Sequence, residues 1–592
     1  MSQHQRSKRA ERPAPNGRAW MWILVVLLGA SVFAFGGVYS WGYWPLGAAA
    51  FIVGFALAGV GAQQKSGFHV KLVMAAMALT AVAVALELIP LTPSLLQRVT
   101  PATDQFLKQY DFEYLRSGAA AQHPLSIVPN DTVIALVLFG AFAVLLVGVS
   151  QIVSKRHLVT FVRGIAAVGL LVSLVGMVQN LFFIPQEPKY IYGFWLPEDQ
   201  GDIFGPFVNH NHFAGWVLMA LPLTITYLIR LVSRAMQRVD ATWPARVRWF
   251  LSRDGSEAVF LALSAMTMTV ALATTKSRSG LIGLLAIMIA IGGFAVTRLK
   301  GRWARVAIPS VLGLVVVLAV SRTGVDAFAK RFAESGGLSD RVHIWSDAWS
   351  VFRAFPLVGT GLNTYGTAML LYQRFDLTQH YDAAHNDYAQ LLAEGGYLVA
   401  VPAALTVLAL AWSIWRARRN DRPDGTVYWI RQGAIIGLVA IAAQEICDFS
   451  LQIPANACLF AVVCGIALCR AGRHHEPERR LPVMVPHSTI PAAREKKHTM
   501  HRCPQCTSDL IHRSRSRTRW EAWRKVVTGK RLYRCHTCGW RGWTDDLGPP
   551  VTMDGATIPE PPNLQGSALA RRGASDVDLT EIDQFGPTER DA

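Results

Sequence analysis

The run Ala384-His385-Asn386-Asp387-Tyr388-Ala389-Gln390-Leu391-Leu392-Ala393-Glu394-Gly395-Gly396 sets an imidazole, an amide and a carboxylate side by side, just ahead of an apolar helix. An imidazole titrates near neutral pH, so His385 can take a proton from an attacking hydroxyl; a helix-capping or interface histidine is the plainer reading. Two arginines lie upstream, Arg278 in Ser277-Arg278-Ser279-Gly280 and Arg341 in Asp340-Arg341-Val342-His343. A guanidinium forks onto phosphate oxygens, and one placed between apolar runs, as Arg278 is, needs water or a partner. The plainer readings are a snorkelling tether for Arg278, a solvated side chain for Arg341 and an interface anchor for Lys276. Taken together, cations and a general base at a bilayer surface suit chemistry on an anionic lipid headgroup.

Other polar groups gather at the ends of apolar runs. Asn209-His210-Asn211-His212 opens the sixth of them. No acidic or cysteine partner stands at ligand spacing, so these side chains suit a sugar or headgroup pocket better than a metal. Among Glu87, Glu445 and Asp448, the last is the strongest candidate for contact with substrate, and Glu198 to Asp202 reads as a solvated acidic loop. Cys503-Pro504-Gln505-Cys506 and Cys535-His536-Thr537-Cys538 form two CxxC knuckles, the spacing of a closed tetrahedral structural zinc site. Between them runs a basic stretch from Arg513 to Arg531 containing Trp520 and Trp523. It suits nucleic acid or the anionic inner leaflet, and a module tethered to a membrane favours the leaflet.

The elements that must position these groups are membrane spans. The chain has 592 residues, 52% of them hydrophobic and 17% charged. About twelve uncharged runs approach the twenty residues needed to cross roughly 30 Å of hydrocarbon, the continuous stretch 257–297 being either two spans or a re-entrant pair. The first run follows Arg6, Lys8, Arg9, Arg12 and Arg18 without a cleavage site, and reads as a retained span. With the N-terminus inside, arginine-rich loops at Arg230–Arg253, Arg298–Arg305 and Arg416–Arg419 fall on the cytoplasmic side, and 91–130, 186–212 and 322–395 fall outside. The net charge of +18 thus reflects orientation rather than a nucleic-acid partner. Both termini are expected in the cytoplasm, where thiols stay reduced.

The expected organisation is a basic N-terminus at 1–19, a membrane domain at 20–471, a linker at 472–500, a zinc ribbon at 501–545 and a disordered tail at 546–592. Within the outer loop, Leu338–Phe355 is predicted to be a helix capped by Ser339 or Asp340, with Trp345, Trp349 and Phe352 on one side, as an interfacial helix would have. Pro356 ends it, and Gly359-Thr360-Gly361 makes a turn.

Residues 200–470 resemble the O-antigen ligase and polymerase superfamily of membrane glycosyltransferases. The matching elements are Asn209 to Ala214, Ser277-Arg278-Ser279-Gly280, Arg341 to Trp345, Phe355 to Gly361, His385-Asn386-Asp387-Tyr388 through Gly396, and Asp448-Phe449 to Ala455. The resemblance implies an all-α, polytopic, GT-C-like membrane protein of a bacterial inner membrane. It also implies a donor glycan on undecaprenyl diphosphate, held by Arg278 and Arg341 at the periplasmic face, with His385 orienting or deprotonating the acceptor hydroxyl. Asn209, His210, Asn211, His212, Lys276, Asn386, Asp387 and Asp448 are expected to bind substrate. No catalytic cofactor is implied. The acceptor is a lipid A core, another glycan or a protein hydroxyl, so polymerase and protein O-oligosaccharyltransferase activities stay open. So does a transporter of the same lipid-linked glycan. His343 and the zinc-ribbon tail depart from the family pattern.

Overall fold

The computed structural model describes residues 17–61, 68–120, 122–152, 155–183, 188–197, 203–239, 242–298, 336–375, 377–423 and 425–469. In the C-terminal part it describes 503–508, 511–514, 518, 520–521, 524 and 530–544. Outside these lie most of the basic N-terminus, the expected span at 303–321, the acidic loop at 198–202, the linker at 472–500 and the tail at 546–592. The chain divides into two compact units, Met1–Val483 and Met484–Ala592.

The first unit is built of helices: α1 (Gly17–Phe33), α2 (Ser40–Gly61), α3 (Phe68–Leu86), α4 (Pro93–Val99), α5 (Pro101–Tyr110), α6 (Phe112–Ser117), α7 (Pro129–Ser150), α8 (Lys155–Leu181) and α9 (His210–Arg238). There follow α10 (Trp243–Phe250), α11 (Arg253–Thr274), α12 (Arg278–Arg298), α13 (Gly336–Ala354), α14 (Tyr365–Tyr372), α15 (Asp387–Arg419), α16 (Thr426–Gln444) and α17 (Pro454–Leu468). Among the described residues, 9 helices are long and apolar enough to cross a bilayer, and α1 and α17 are shorter apolar helices. This is an all-α polytopic membrane protein. The stretch 257–297 resolves into two full-length helices, of 22 and 21 residues, rather than a re-entrant pair.

Outward-facing Ile52, Phe55, Ile282, Ile289, Val407, Leu408 and Val439 are exposed, as side chains in contact with lipid are. Attraction between spans must then come from close packing. Helices α2 and α7 cross where a Cβ on Gly148 would lie 2.2 Å from the Gly54 carbonyl oxygen, so only glycine permits the approach. Helix α9, packed by α16, α11, α12 and α8, is the centre of the bundle. At the end of α16 away from the site described below, buried Arg431 pairs with Asp421 at 2.6 Å and donates to the carbonyls of Ala467 and Cys469. Nearby in the helix order, Arg163 grips Glu257, which also accepts from Tyr227 at 2.6 Å. Charges in the apolar interior are thus paired.

Helix α13 forms where its sequence predicts but starts at Gly336, so Ser339 and Asp340 lie inside its first turns rather than capping it. Its buried residues Ile344, Ala348 and Val351, with Phe355 just beyond its end, face α14 and α15. On the aromatic side Trp349 is exposed and its ring packs at 4.9 Å on Phe352, which is buried against Tyr397. The turn after Pro356 locks into α15. Gly359 has φ +67 and Gly396 has φ +49, and Cβ atoms there would lie 2.0 Å from the Glu394 carbonyl oxygen and 2.6 Å from the Gly359 nitrogen. Gly361 N–H donates to the Glu394 carbonyl at 2.8 Å, and Tyr397 and Leu398 N–H donate to the carbonyls of Pro356 and Leu357 at 2.9 Å. The Glu394 carboxylate accepts from Asn363 N–H and Tyr365 N–H at 3.0 Å, capping α14. The paired motifs Gly359-Thr360-Gly361 and Glu394-Gly395-Gly396 therefore form one backbone clasp.

The second unit holds a three-stranded antiparallel sheet, β1 (Ile511–Arg513), β2 (Arg531–Cys535) and β3 (Arg541–Thr544), in that order. The register pairs Ile511 with Cys535 and Leu532 with Trp543.

Candidate active site at one end of the helical bundle

The first turn of α9 is pinned from several directions. Asn209 caps it, its side chain accepting from Asn211 N–H at 2.8 Å. The Asn211 carbonyl accepts from Gln444 Nε2 at 3.1 Å and Ser450 Oγ at 3.2 Å, and that of His212 from Asn456 Nδ2 at 2.9 Å. His210, Asn211 and His212 are buried, and both ring nitrogens of His212 lack a hydrogen-bond partner among the described residues.

Opposite this turn lies the tight connection between α11 and α12. Lys276 takes φ +59 and is exposed. Ser277 Oγ donates to Asn211 Oδ1 at 2.6 Å and accepts from Gly280 N–H at 3.1 Å, fixing the start of α12. Arg278 opens that helix, half-buried, without a hydrogen bond or ion pair among the described residues. The next residue reaches Asp448, Ser279 Oγ donating to Asp448 Oδ2 at 3.4 Å.

Asp448 is fully buried, and burial pushes its carboxyl up to about 6, against the favourable charge of Arg341. Arg341, half-buried on α13, also acts on His385. Burial first, and then that guanidinium, push the His385 imidazole down to about 4, so it is neutral at physiological pH. His385 sits at φ +48, a left-handed conformation that a non-glycine residue adopts only when its surroundings enforce it. Gln390 supplies part of that enforcement, its Oε1 accepting from Ala384 N–H at 2.9 Å. The His385 ring packs edge-on to Phe449 at 4.9 Å, and Phe449 meets His212 in the same way at 4.9 Å. His385 Nδ1 is buried without a hydrogen bond among the described residues.

Asn386 and Asp387 are engaged elsewhere. The Asn386 side-chain oxygen accepts from Tyr388 N–H and Ala389 N–H at 3.0 Å, capping α15. Asp387 N–H donates to the Glu445 carbonyl at 3.0 Å, and its Oδ1 accepts from Gln452 Nε2 at 2.7 Å. Burial and the adjacent Asp387 push the Glu445 carboxyl far up, so Glu445 is a neutral acid donating to its neighbour. Gln390 bridges onward to Gln452 Oε1 at 3.2 Å and Glu394 Oε1 at 3.1 Å. His343 lies outside this network, stacked on Phe375 at 4.1 Å. Glu87, also fully buried, accepts from Leu362 N–H at 3.2 Å and braces the clasp.

Sequence reasoning missed the Asp387–Glu445 acid pair and the bracing by Gln390 and Glu394. The fourfold spacing of Gln390 and Glu394, which puts them on one helix face, was the available signal.

Beside His385 opens a groove of about 1270 Å³ between α2, α3, α7, α15 and α17. Part of its lining is apolar, with Val73, Met77, Leu138, Phe142, Leu410 and Phe460, and its exposed mouth, with Asn363, Gln379, His380 and Asp382, is polar.

Residues 263–404 match the family model described as O-antigen ligase. That segment resembles an O-antigen ligase domain. The matched segment contains Arg278, Arg341, His385 and both halves of the clasp. It supports membership of the O-antigen ligase superfamily, and with it a membrane-embedded ligase or polymerase that transfers glycans. No curated protein matches the chain significantly.

In the second unit, the four thiols of Cys503, Cys506, Cys535 and Cys538 lie within 4.8 Å of one another. A tetrahedral zinc with Zn–S near 2.3 Å needs sulfurs about 3.8 Å apart, and the pairs Cys503–Cys538 and Cys506–Cys535 stand at 3.6 Å. Each knuckle turns through a left-handed residue, Thr507 at φ +55 and Gly539 at φ +75. The residues fit a structural metal.

Proposed function

We propose that the protein is an inner-membrane glycosyltransferase that moves a glycan from undecaprenyl diphosphate to an acceptor hydroxyl at the periplasmic face, with both termini in the cytoplasm. The observation that carries this reading is the convergence of His385, Arg341 and Asp448, with Asp448 hydrogen-bonded to the turn that bears Arg278. In the proposed step, the acceptor oxygen attacks the anomeric carbon and the bond from that carbon to the phosphate oxygen breaks. The acceptor proton passes to the neutral imidazole of His385, and the diphosphate leaves carrying the developing charge. Arg278 and Arg341 stabilise that charge, as fixed cations at a leaving group do. A diphosphate beside Arg341 offsets its charge, which raises the basicity of His385 when the donor is bound. Ligase and polymerase differ here only in the acceptor. The four-cysteine unit holds a structural zinc and takes no part in the chemistry.

The test is reconstitution with a defined undecaprenyl-diphosphate glycan. His385→Ala and Arg341→Ala are expected to lose at least a hundredfold in transfer, and Arg278→Lys most of its activity, because a point charge does not replace the fork. Undiminished transfer in all three variants would remove the assignment.

A further inference from the structure

The groove beside His385 has a chemical character opposite to that of the arginines. Among the described residues no lysine or arginine lines it, whereas Asp131, Asp382, Asp387 and Glu394 do. Its mouth is formed by Asp131, Asn363, Gln379, His380, Tyr381 and Asp382, a mixture of carboxylate, amide, phenol and imidazole groups. These groups hydrogen-bond hydroxyls on several sides, and a tyrosine ring offers a face to a pyranose. A diphosphate placed here would face acids without a compensating cation, at a cost that grows as water is excluded. His385 and Phe449 belong to the groove wall, while Arg341 and Asp448 act from beyond it.

We propose that the mouth of this groove is the acceptor subsite. It takes the terminal sugar of a glycan that is uncharged or carries an amino group, and it presents that sugar's hydroxyl to His385 while the donor's diphosphate stays with the arginines on the other side. The inference rests on the glycosyl-transfer reading. It adds that the acceptor sugar is not anionic, and it names the residues that choose it. His380 Nε2 lies 3.1 Å from Asp382 Oδ1, and the Asp382 side chain is 87% exposed, so the mouth can be altered without touching the core.

The experiment uses the full chain in nanodiscs and two readouts. Saturation-transfer NMR follows methyl glucoside, methyl glucosaminide and methyl glucuronide, and a binding assay follows undecaprenyl diphosphate. The neutral and amino glycosides are expected to show transfer and the glucuronide little. Tyr381→Ala is expected to abolish the signals, and Asp382→Arg to shift preference toward the glucuronide severalfold. Undecaprenyl diphosphate should bind both variants within about twofold of the parent. A glucuronide signal equal to that of the glucoside in the parent would overturn the proposal. So would a tenfold change in undecaprenyl diphosphate affinity in Asp382→Arg, which would place the donor in the groove. Failure of the parent to bind undecaprenyl diphosphate, with glycoside signals intact, would instead remove the donor assignment and leave the sugar subsite standing.

Discussion

The four-cysteine unit and the site beside His385 are built on opposite plans. In the first, each knuckle brings its own two ligands, and the backbone of a few neighbouring residues does the positioning: Cys503 N–H donates to the Ser508 carbonyl and Gly539 N–H to that of Cys535. In the second, the groups that meet come from far apart in the chain. Ser277 reaches Asn211 across 66 positions, Ser279 reaches Asp448 across 169, and Gln444 reaches Asn211 across 233. A site of the first kind survives as long as its metal does. One of the second kind survives only while several spans keep their packing, so damage to either should leave the other intact.

The largest expected effect tests that independence. Cys535→Ser in the full chain should lose the bound zinc, one per chain by metal analysis, and with it the exchange protection of β1–β3, because structural zinc sites carry about 10 kcal/mol or more of folding free energy. Glycan transfer should be unchanged, and a parallel loss of transfer would break the comparison. Next comes the clasp. Gly396→Ala forces a side chain into a left-handed residue 2.6 Å from the Gly359 nitrogen, and should destabilise the membrane unit by about 3 kcal/mol, seen as a lower unfolding temperature. The zinc content should stay whole.

A smaller effect is expected in the pH dependence. With the free-enzyme His385 imidazole at about 4, kcat/KM should fall as the pH drops through 4, and kcat, read with the donor bound, should fall at a higher pH. The sign follows from the neutral form being the base. The same depression, from an ordinary 6.5, means the folded state binds fewer protons than the unfolded chain between those values, so stability rises with pH across that window. Arg341→Gln removes the second cause of the depression and leaves burial, the larger one. The His385 titration by NMR should therefore move upward while staying below 6.5. A downward move would show that Arg341 does not act on the ring. The smallest effect is Asn386→Ala, about 1 kcal/mol for the lost cap on α15, with the chemistry otherwise retained.

The difference between the two plans also decides what could be read in advance. Span positions were legible because twenty apolar residues in a row are a local property, and Arg278, His385 and Asp448 stood out because polar groups at span ends are costly unless used. The four clustered cysteines were legible from spacing alone. By contrast, a buried set, Ile344, Ala348 and Val351, and an aromatic set coexist on α13, and periodicity alone did not say which one packs against α14 and α15. That Asn386 also caps α15 was visible only in the geometry of that helix's first turn.

By itself, the sequence determined that this chain lives in a membrane, that its polar chemistry lies at span ends, and that four cysteines can close around a metal, because each follows from composition or short spacing. The tertiary structure decided which turns face each other, that Gly359 and Gly396 interlock, that Asp387 and Glu445 lie together, and that no lysine or arginine among the described residues lines the groove at His385. Those outcomes depend on how helices distant in the chain pack, and no local pattern carries the register of one helix against another.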